Sequence, residues 1–220
     1  FYCDSALAFD ALAGVSDRLK PAGPLSKADE LLRRHAEDRI FFAVIAAASP
    51  ISVLRLLAQD LGLFGLFRFL KDRSDMMKGS TVEKLSQRAA ARLVEDFVMQ
   101  LNGLLKQDQF LGGAHAGYLD LCCHHPLWMA SVINRETLSA LPPMVQAWMR
   151  RIAALGHGRS VLVSERQIYD RVTGDRFQDF AGELSGAFAR DSLVSVRPTD
   201  YARDSTEGHL VFMDEHQCVI

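Results

Sequence analysis

Apolar residues recur at three- and four-residue steps along most of the first 155 positions, and the pattern predicts a chain built mainly of helices. From Ser26, Leu31, Leu32, His35, Ile40, Phe41 and Ile45 trace one helical face. Ser26-Lys27-Ala28-Asp29 reads as a capping box with Asp in place of Glu, and Ser49-Pro50 ends or kinks the run. Ile51 to Leu61 continues helically into a Phe-rich stretch between Gly62 and Leu70. Val82, Leu85, Ala89, Leu93, Phe97, Leu101 and Leu104 predict the longest clean helix, Thr81 to Lys106. A further helix is expected from Tyr118 to Asn134 with a kink at Pro126, and another from Met144 to Leu155. Pro142-Pro143 opens the latter and Gly156-His157-Gly158 stops it.

The two ends differ from this middle. Ser5 to Leu19 reads as a helix capped by Asp4 or Ser5, followed by the linker Lys20-Pro21-Ala22-Gly23-Pro24. The chain opens on the apolar Phe1-Tyr2-Cys3 without a Met, which predicts a cut inside a larger domain. Ser164 to about Ala189 is polar and helical. Beyond Asp191 the period becomes two, and residues 193–197, 208–212 and 217–220 read as short strands.

Composition narrows the picture. The 220 residues are 49% hydrophobic and 24% charged, enough for a sizeable core in a soluble domain. A net charge of −2, with no basic stripe, gives no support for a nucleic-acid partner. The stretch Ile40 to Leu57 contains Ser49, Pro50, Ser52 and Arg55, so it predicts a buried helix rather than a membrane span. Cys3, Cys122, Cys123 and Cys218 form no CxxC pair, which suits a reduced, cytoplasmic setting.

Few residues invite chemistry on their own. Cys122-Cys123-His124-His125 looks like a zinc cluster, but neighbours on a helix point about 100° apart and cannot converge on one tetrahedral ion. No metal site is expected. Cys3, at a buried strand end, reads as a small hydrophobe, and His157 as a helix-end residue. Asp4 and Ser5 stand where a helix begins and its free N–H groups could receive a carboxylate; they are equally readable as an N-cap pair alone. His35, Arg39, Phe42 and Ile45 lie near one helical face and could line an apolar pocket or simply pack in the core.

Three stretches resemble one family. Tyr2-Cys3-Asp4-Ser5 with its helix and Pro-rich linker resembles the end of the thioredoxin-like domain of glutathione S-transferases. Phe110-Leu111-Gly112-Gly113 followed by Gly117-Tyr118-Leu119-Asp120 is similar to the family's "F-L-G-G…S-x-A-D" segment. Leu141-Pro142-Pro143 through Trp148 to Arg151 is similar to its "P-x-x-x-x-W-x-x-R" run. The tail beyond Gly158 resembles an extension of some bacterial members. The cap Ser or Thr of the family is Gly117 here, and its Ala is Leu119.

The resemblance implies a mainly α fold, a transferase C-terminal-like helical bundle with a remnant of a thioredoxin-like domain and a small C-terminal β module. The corresponding divisions are residues 1–20, 21–158 and 159–220. It implies that the intact protein binds glutathione as co-substrate, with no other cofactor, and joins it to a hydrophobic electrophile by thiolate attack. Ser5 would then donate to the γ-glutamyl carboxylate and Asp4 accept from the α-ammonium. His35, Arg39, Phe42 and Ile45 would face the hydrophobic substrate. Asp120 and Trp148 would be structural, Asp120 held by backbone N–H groups because a lone buried carboxylate is costly. A homodimer, with neither nucleic acid nor membrane as partner, is expected. The segment that carries the family's catalytic Ser, Tyr or Cys has no counterpart here, so no catalytic residue is assigned. The competing readings are a non-catalytic ligand-binding or scaffold protein on the same fold, and an all-α domain with a coincidental match.

Overall fold

The computed structural model describes residues 8, 9, 12, 25–134, 136–156, 158, 161–174, 188–214 and 218–220, with the backbone alone at 171–174. Asp4, Ser5, Cys3 and His157 therefore lie outside the described residues, as do most of the first predicted helix and the end of the polar one. The chain divides into two compact units, Phe1–Phe69 with Val82–Gly156, and Leu70–Thr81 with His157–Ile220.

The first unit is a helical bundle. Helix α1 (Lys27–His35) starts on the capping box read from the sequence. The Ser26 hydroxyl accepts from the Asp29 N–H at 3.1 Å, and the Asp29 carboxylate accepts from the Ser26 N–H at 3.3 Å. Asp29 and Glu30 in the first turn, and Arg33, Arg34 and His35 in the last, complement the helix dipole. The helix then widens into one π turn, Ala36–Ile40, before continuing as α2 (Phe41–Ala47). Leu32, Ala36 and Ile40 are all buried, four residues apart. At 100° per residue that spacing drifts around an α-helix, and a wider turn absorbs the drift so that Ile40 still meets the core.

Helix α3 (Pro50–Met76) is broken at Gly62, whose φ of 65° and ψ of 174° suit glycine almost alone. The break leaves the stretch that the apolar pattern marks, Thr81–Lys106, with the longest uninterrupted helix described, Gln87–Leu104. Helix α4 (Gln87–Leu104) begins only at Ser86, whose hydroxyl accepts from the Ala89 N–H. The Gln87 amide then closes the end of α2 by donating to the carbonyls of Ala47 and Ala48. The expected burial from Ile40 to Leu57 holds only in part. Ala43 and Val44 are buried, but Ile51 is 77% exposed and no residue of α3 is buried. By length and composition α3 could cross a membrane: its most apolar 18-residue window has mean hydropathy 1.3 and is 0% buried.

Helix α5 (Tyr118–Ile133) runs through a buried Pro126 and packs against α1, the π turn, α2, α6 (Glu136–Ala140) and α7 (Pro143–Ala154). Helix α7 opens with Pro143 in its first turn, as the sequence predicts. The core forms where Phe97 and Leu101 of α4, Cys123 and Leu127 of α5, and Val145 and Trp148 of α7 meet Ile40. Truncating Phe97 or Trp148 to Ala would cost about 3–5 kcal/mol.

The second unit contains α8 (Glu165–Gly174) and two antiparallel hairpins. Strand β1 (Leu193–Val196) pairs with β2 (Thr206–His209), Leu193 opposite His209. Strand β3 (Phe212–Met213) pairs with β4 (Cys218–Val219), Phe212 opposite Val219. Four hydrogen bonds staple the turn after α3 to residues 199–203. Ala202 N–H donates to the Met76 carbonyl at 2.9 Å and Thr81 N–H to that of Asp200 at 2.9 Å. The Thr81 hydroxyl donates to the Thr199 carbonyl, and the Arg203 guanidinium to that of Gly79.

Candidate functional site

The tightest polar arrangement of the bundle surrounds Asp120, which is fully buried in the first turn of α5. One carboxylate oxygen, Oδ1, accepts from the Leu111 N–H and from Trp148 Nε1–H, both at 2.8 Å. The other accepts from the Gly117 N–H at 3.0 Å. The Phe110–Gly113 turn, closed by reciprocal hydrogen bonds of 3.1 Å, presents the Leu111 N–H. Gly113 takes φ 107°, a conformation that side chains disfavour. Asp120 thus ties a loop, a helix start and α7 together. Fully buried and answered by three protein donors, it is closed to a substrate.

A second arrangement was not foreseen. Glu37, in the π turn, is the meeting point of three donors. Its carboxylate accepts from Tyr118 Oη at 3.0 Å and Cys122 Sγ at 3.2 Å on one oxygen, and from Arg33 at 2.5 Å on the other. Arg33 also bonds Glu30, holding that carboxyl down to about 2. Phe9 lies against the Tyr118 ring, 4.9 Å between centroids. Burial, followed by the Glu37 carboxylate, pushes the Cys122 thiol up to about 12, and burial pushes Cys123 up as well. Both thiols stay protonated near neutral pH and are poor nucleophiles. Glu37 and Tyr118 are 81 residues apart, and no local motif marks the pair.

The four expected pocket residues follow one helical path but meet different neighbours. His35 is half-buried with its ring 6.1 Å from that of Phe97, and burial, then Arg39, lowers its pKa. Arg39 reaches outward to Glu83 at 2.7 Å. Phe42 packs edge-on against Phe41, and Ile45 is exposed. Phe41 stacks on His125, and His125 on Trp128, at 5.4 and 6.1 Å. This aromatic row on the surface of α2 and α5 also escaped the sequence reading. Asp4 and Ser5 fall outside the described residues.

The Cys122–His125 run diverges as helical geometry requires. Cys122 and Cys123 turn inward, His124 packs edge-on against Trp148, and His125 faces out. Among the described residues no group of three or more His, Cys, Asp or Glu side chains is placed to hold a metal ion. A shallow cavity of about 380 Å³ lies elsewhere, between Lys106, Asp108, Met144 and Arg151. There Arg151 is committed to the Gln109 carbonyl and the face of Phe110.

No protein-family model and no curated protein matches the sequence. The fold does have a likeness among solved structures. A GST-like protein from Pseudomonas syringae superposes with a TM-score of 0.67 at 18% sequence identity, over 99% of this chain and 68% of that one. The chain therefore has a GST-like fold, mainly helical with small strand pieces.

Proposed function

We propose that this chain is the helical, substrate-side portion of a glutathione-transferase-like protein, of the bacterial kind with a C-terminal extension. Its intact form binds glutathione and joins it to a hydrophobic electrophile. The observation that supports this most is the likeness in fold to a GST-like protein along 99% of the chain. The Asp120 arrangement is in keeping with it, since it fixes the start of the central helix without using a ligand. In this reading Asp4 and Ser5 hold the γ-glutamyl end of glutathione. His35, Arg39, Phe42 and Ile45 border the electrophile, so three apolar or half-buried side chains and one cation set its character. Cys122 and Cys123 take no part, because both are buried and burial disfavours their thiolates. The sulfur that attacks is that of glutathione itself.

The test is calorimetric titration of the protein from its complete coding sequence with glutathione, beside turnover of a chromogenic thiol acceptor. Binding is expected, and Ser5→Ala should weaken it by about tenfold, the loss of roughly 1.4 kcal/mol. Absence of binding at millimolar glutathione would refute the reading. Binding without turnover would leave a non-catalytic ligand-binding protein.

A further inference from the structure

Tyr118 is fixed at both ends. Its backbone opens α5 directly after Gly117, whose N–H is bonded to the buried Asp120 carboxylate, and Asp120 is bonded in turn to Leu111 and Trp148. Its hydroxyl donates to Glu37 Oε1 at 3.0 Å. Cys122 Sγ, one turn further along α5, donates to the same oxygen at 3.2 Å, and Arg33 bonds the other. Arg33 is itself held by Glu30 at 3.0 and 2.7 Å. The half-buried phenol ring between these anchors is a rigid plate, since any swing breaks a bond at one end. Glu37 reaches it from the π turn Ala36–Ile40. Such turns are rare overall and frequent at functional sites.

The plate carries Phe9. The two rings lie 4.9 Å apart between centroids, tilted by 33°. Ala8 and Phe9 are helical and half-buried, while Leu12, also helical, is 55% exposed. Phe9 stands four residues after Ser5. In the helix expected from Ser5 to Leu19, positions i and i+4 share a face one turn apart. The residue read as holding the γ-glutamyl carboxylate is thus one turn from the residue that rests on Tyr118. A binding group keeps its place only if the layer beneath it is itself held, and here that layer is Phe9, Tyr118 and Glu37.

We propose that Tyr118 and Glu37 are positioning residues for glutathione: they set where Phe9 rests, and through it where Asp4 and Ser5 meet the γ-glutamyl group. The inference rests on the glutathione reading above. Calorimetry of glutathione with the protein from its complete coding sequence tests it. Phe9→Ala and Tyr118→Ala should each weaken binding about tenfold, because a small misplacement of a binding group is costly. Tyr118→Phe keeps the plate but loses an anchor, and should weaken binding about threefold. Glu37→Leu should match it, and Glu37→Gln, which keeps an acceptor oxygen, should stay near the parent. Leu101→Ala, elsewhere in the core, lowers stability and should leave the affinity unchanged. Without glutathione, amide exchange over residues 6–12 should quicken in Tyr118→Ala but not in Leu101→Ala. A parent protein that binds no glutathione removes the reading and this inference together. A parent that binds, with Phe9→Ala and Tyr118→Ala indistinguishable from it, overturns the inference alone, as does an equal loss in Leu101→Ala.

Discussion

At the scale of single residues, Asp120 decides most. It is a fully buried carboxylate with three donors aimed at it, two of them backbone N–H groups that have no other role in a ladder. Removing the acceptor strands those donors out of water, and each stranded group costs about 1–3 kcal/mol. Asp120→Ala should therefore lower the unfolding free energy by about 4 kcal/mol, while Asp120→Asn, which keeps one acceptor oxygen, should cost about half as much. Denaturant titration of the two variants checks the order as well as the size. Equal stability of Asp120→Ala and the parent would show that the three contacts contribute nothing. Gly117 predicts the opposite sign. It caps α5 with φ −125° and ψ −174°, a backbone any residue adopts, and a Cβ there meets nothing within 4 Å. Gly117→Ser supplies the missing hydroxyl cap and stiffens the unfolded chain, so the melting temperature should rise, by about 0.5–1 kcal/mol of stability.

Helices show where sequence pattern suffices and where it stops. The Ser26–Asp29 box and the Pro143 start were legible because a cap is a local transaction among four residues. The backbone donors on Asp120 were legible too, since a buried charge must be answered. The start of α4 was not. Val82 and Leu85 keep the helical rhythm, yet Ser86 takes the capping role and Thr81 is bonded to residues 199 and 200. Periodicity shows that a face is apolar, not what it will meet, and so the burial expected beyond Pro50 failed on α3. The Glu37 arrangement needs a π turn and a partner 81 residues away, neither of which leaves a local mark. The break in α3 was half legible, as two glycines in a Phe-rich run. Gly62 supplies the conformation, and Gly65 the room, since a Cβ there would come within 2.9 Å of the Leu61 Cβ. Gly62→Ala should cost about 1–3 kcal/mol locally, seen as faster amide exchange across residues 60–66 than elsewhere in α3. Uniform exchange along the helix would mean that the break is not held by its glycine.

For the molecule as a whole, the response to pH follows from two half-buried histidines. Burial lowers the pKa of His35 below its ordinary 6.5, with Arg39 adding to the effect, and burial lowers that of His124, with His125 adding to it. A histidine with a depressed folded pKa binds fewer protons folded than unfolded. Its contribution to stability is complete above the unfolded value of 6.5 and is lost as pH falls from there through the folded value. Glu30 acts lower down. With its folded pKa near 2, its contribution is complete above 4.5 and is lost as pH falls toward 2. Glu30 lies near the surface, so its share is small. The unfolding free energy should therefore be level above pH 7 and begin to fall just below it. His35→Gln and His124→Gln should each flatten that first decline, whatever they do to the plateau, because they remove the group that takes up the proton. Urea midpoints measured between pH 8 and 5 decide the matter. A plateau unbroken down to pH 5 in the parent protein would mean that neither imidazole is disfavoured in its charged form by the packing against Phe97 and Trp148.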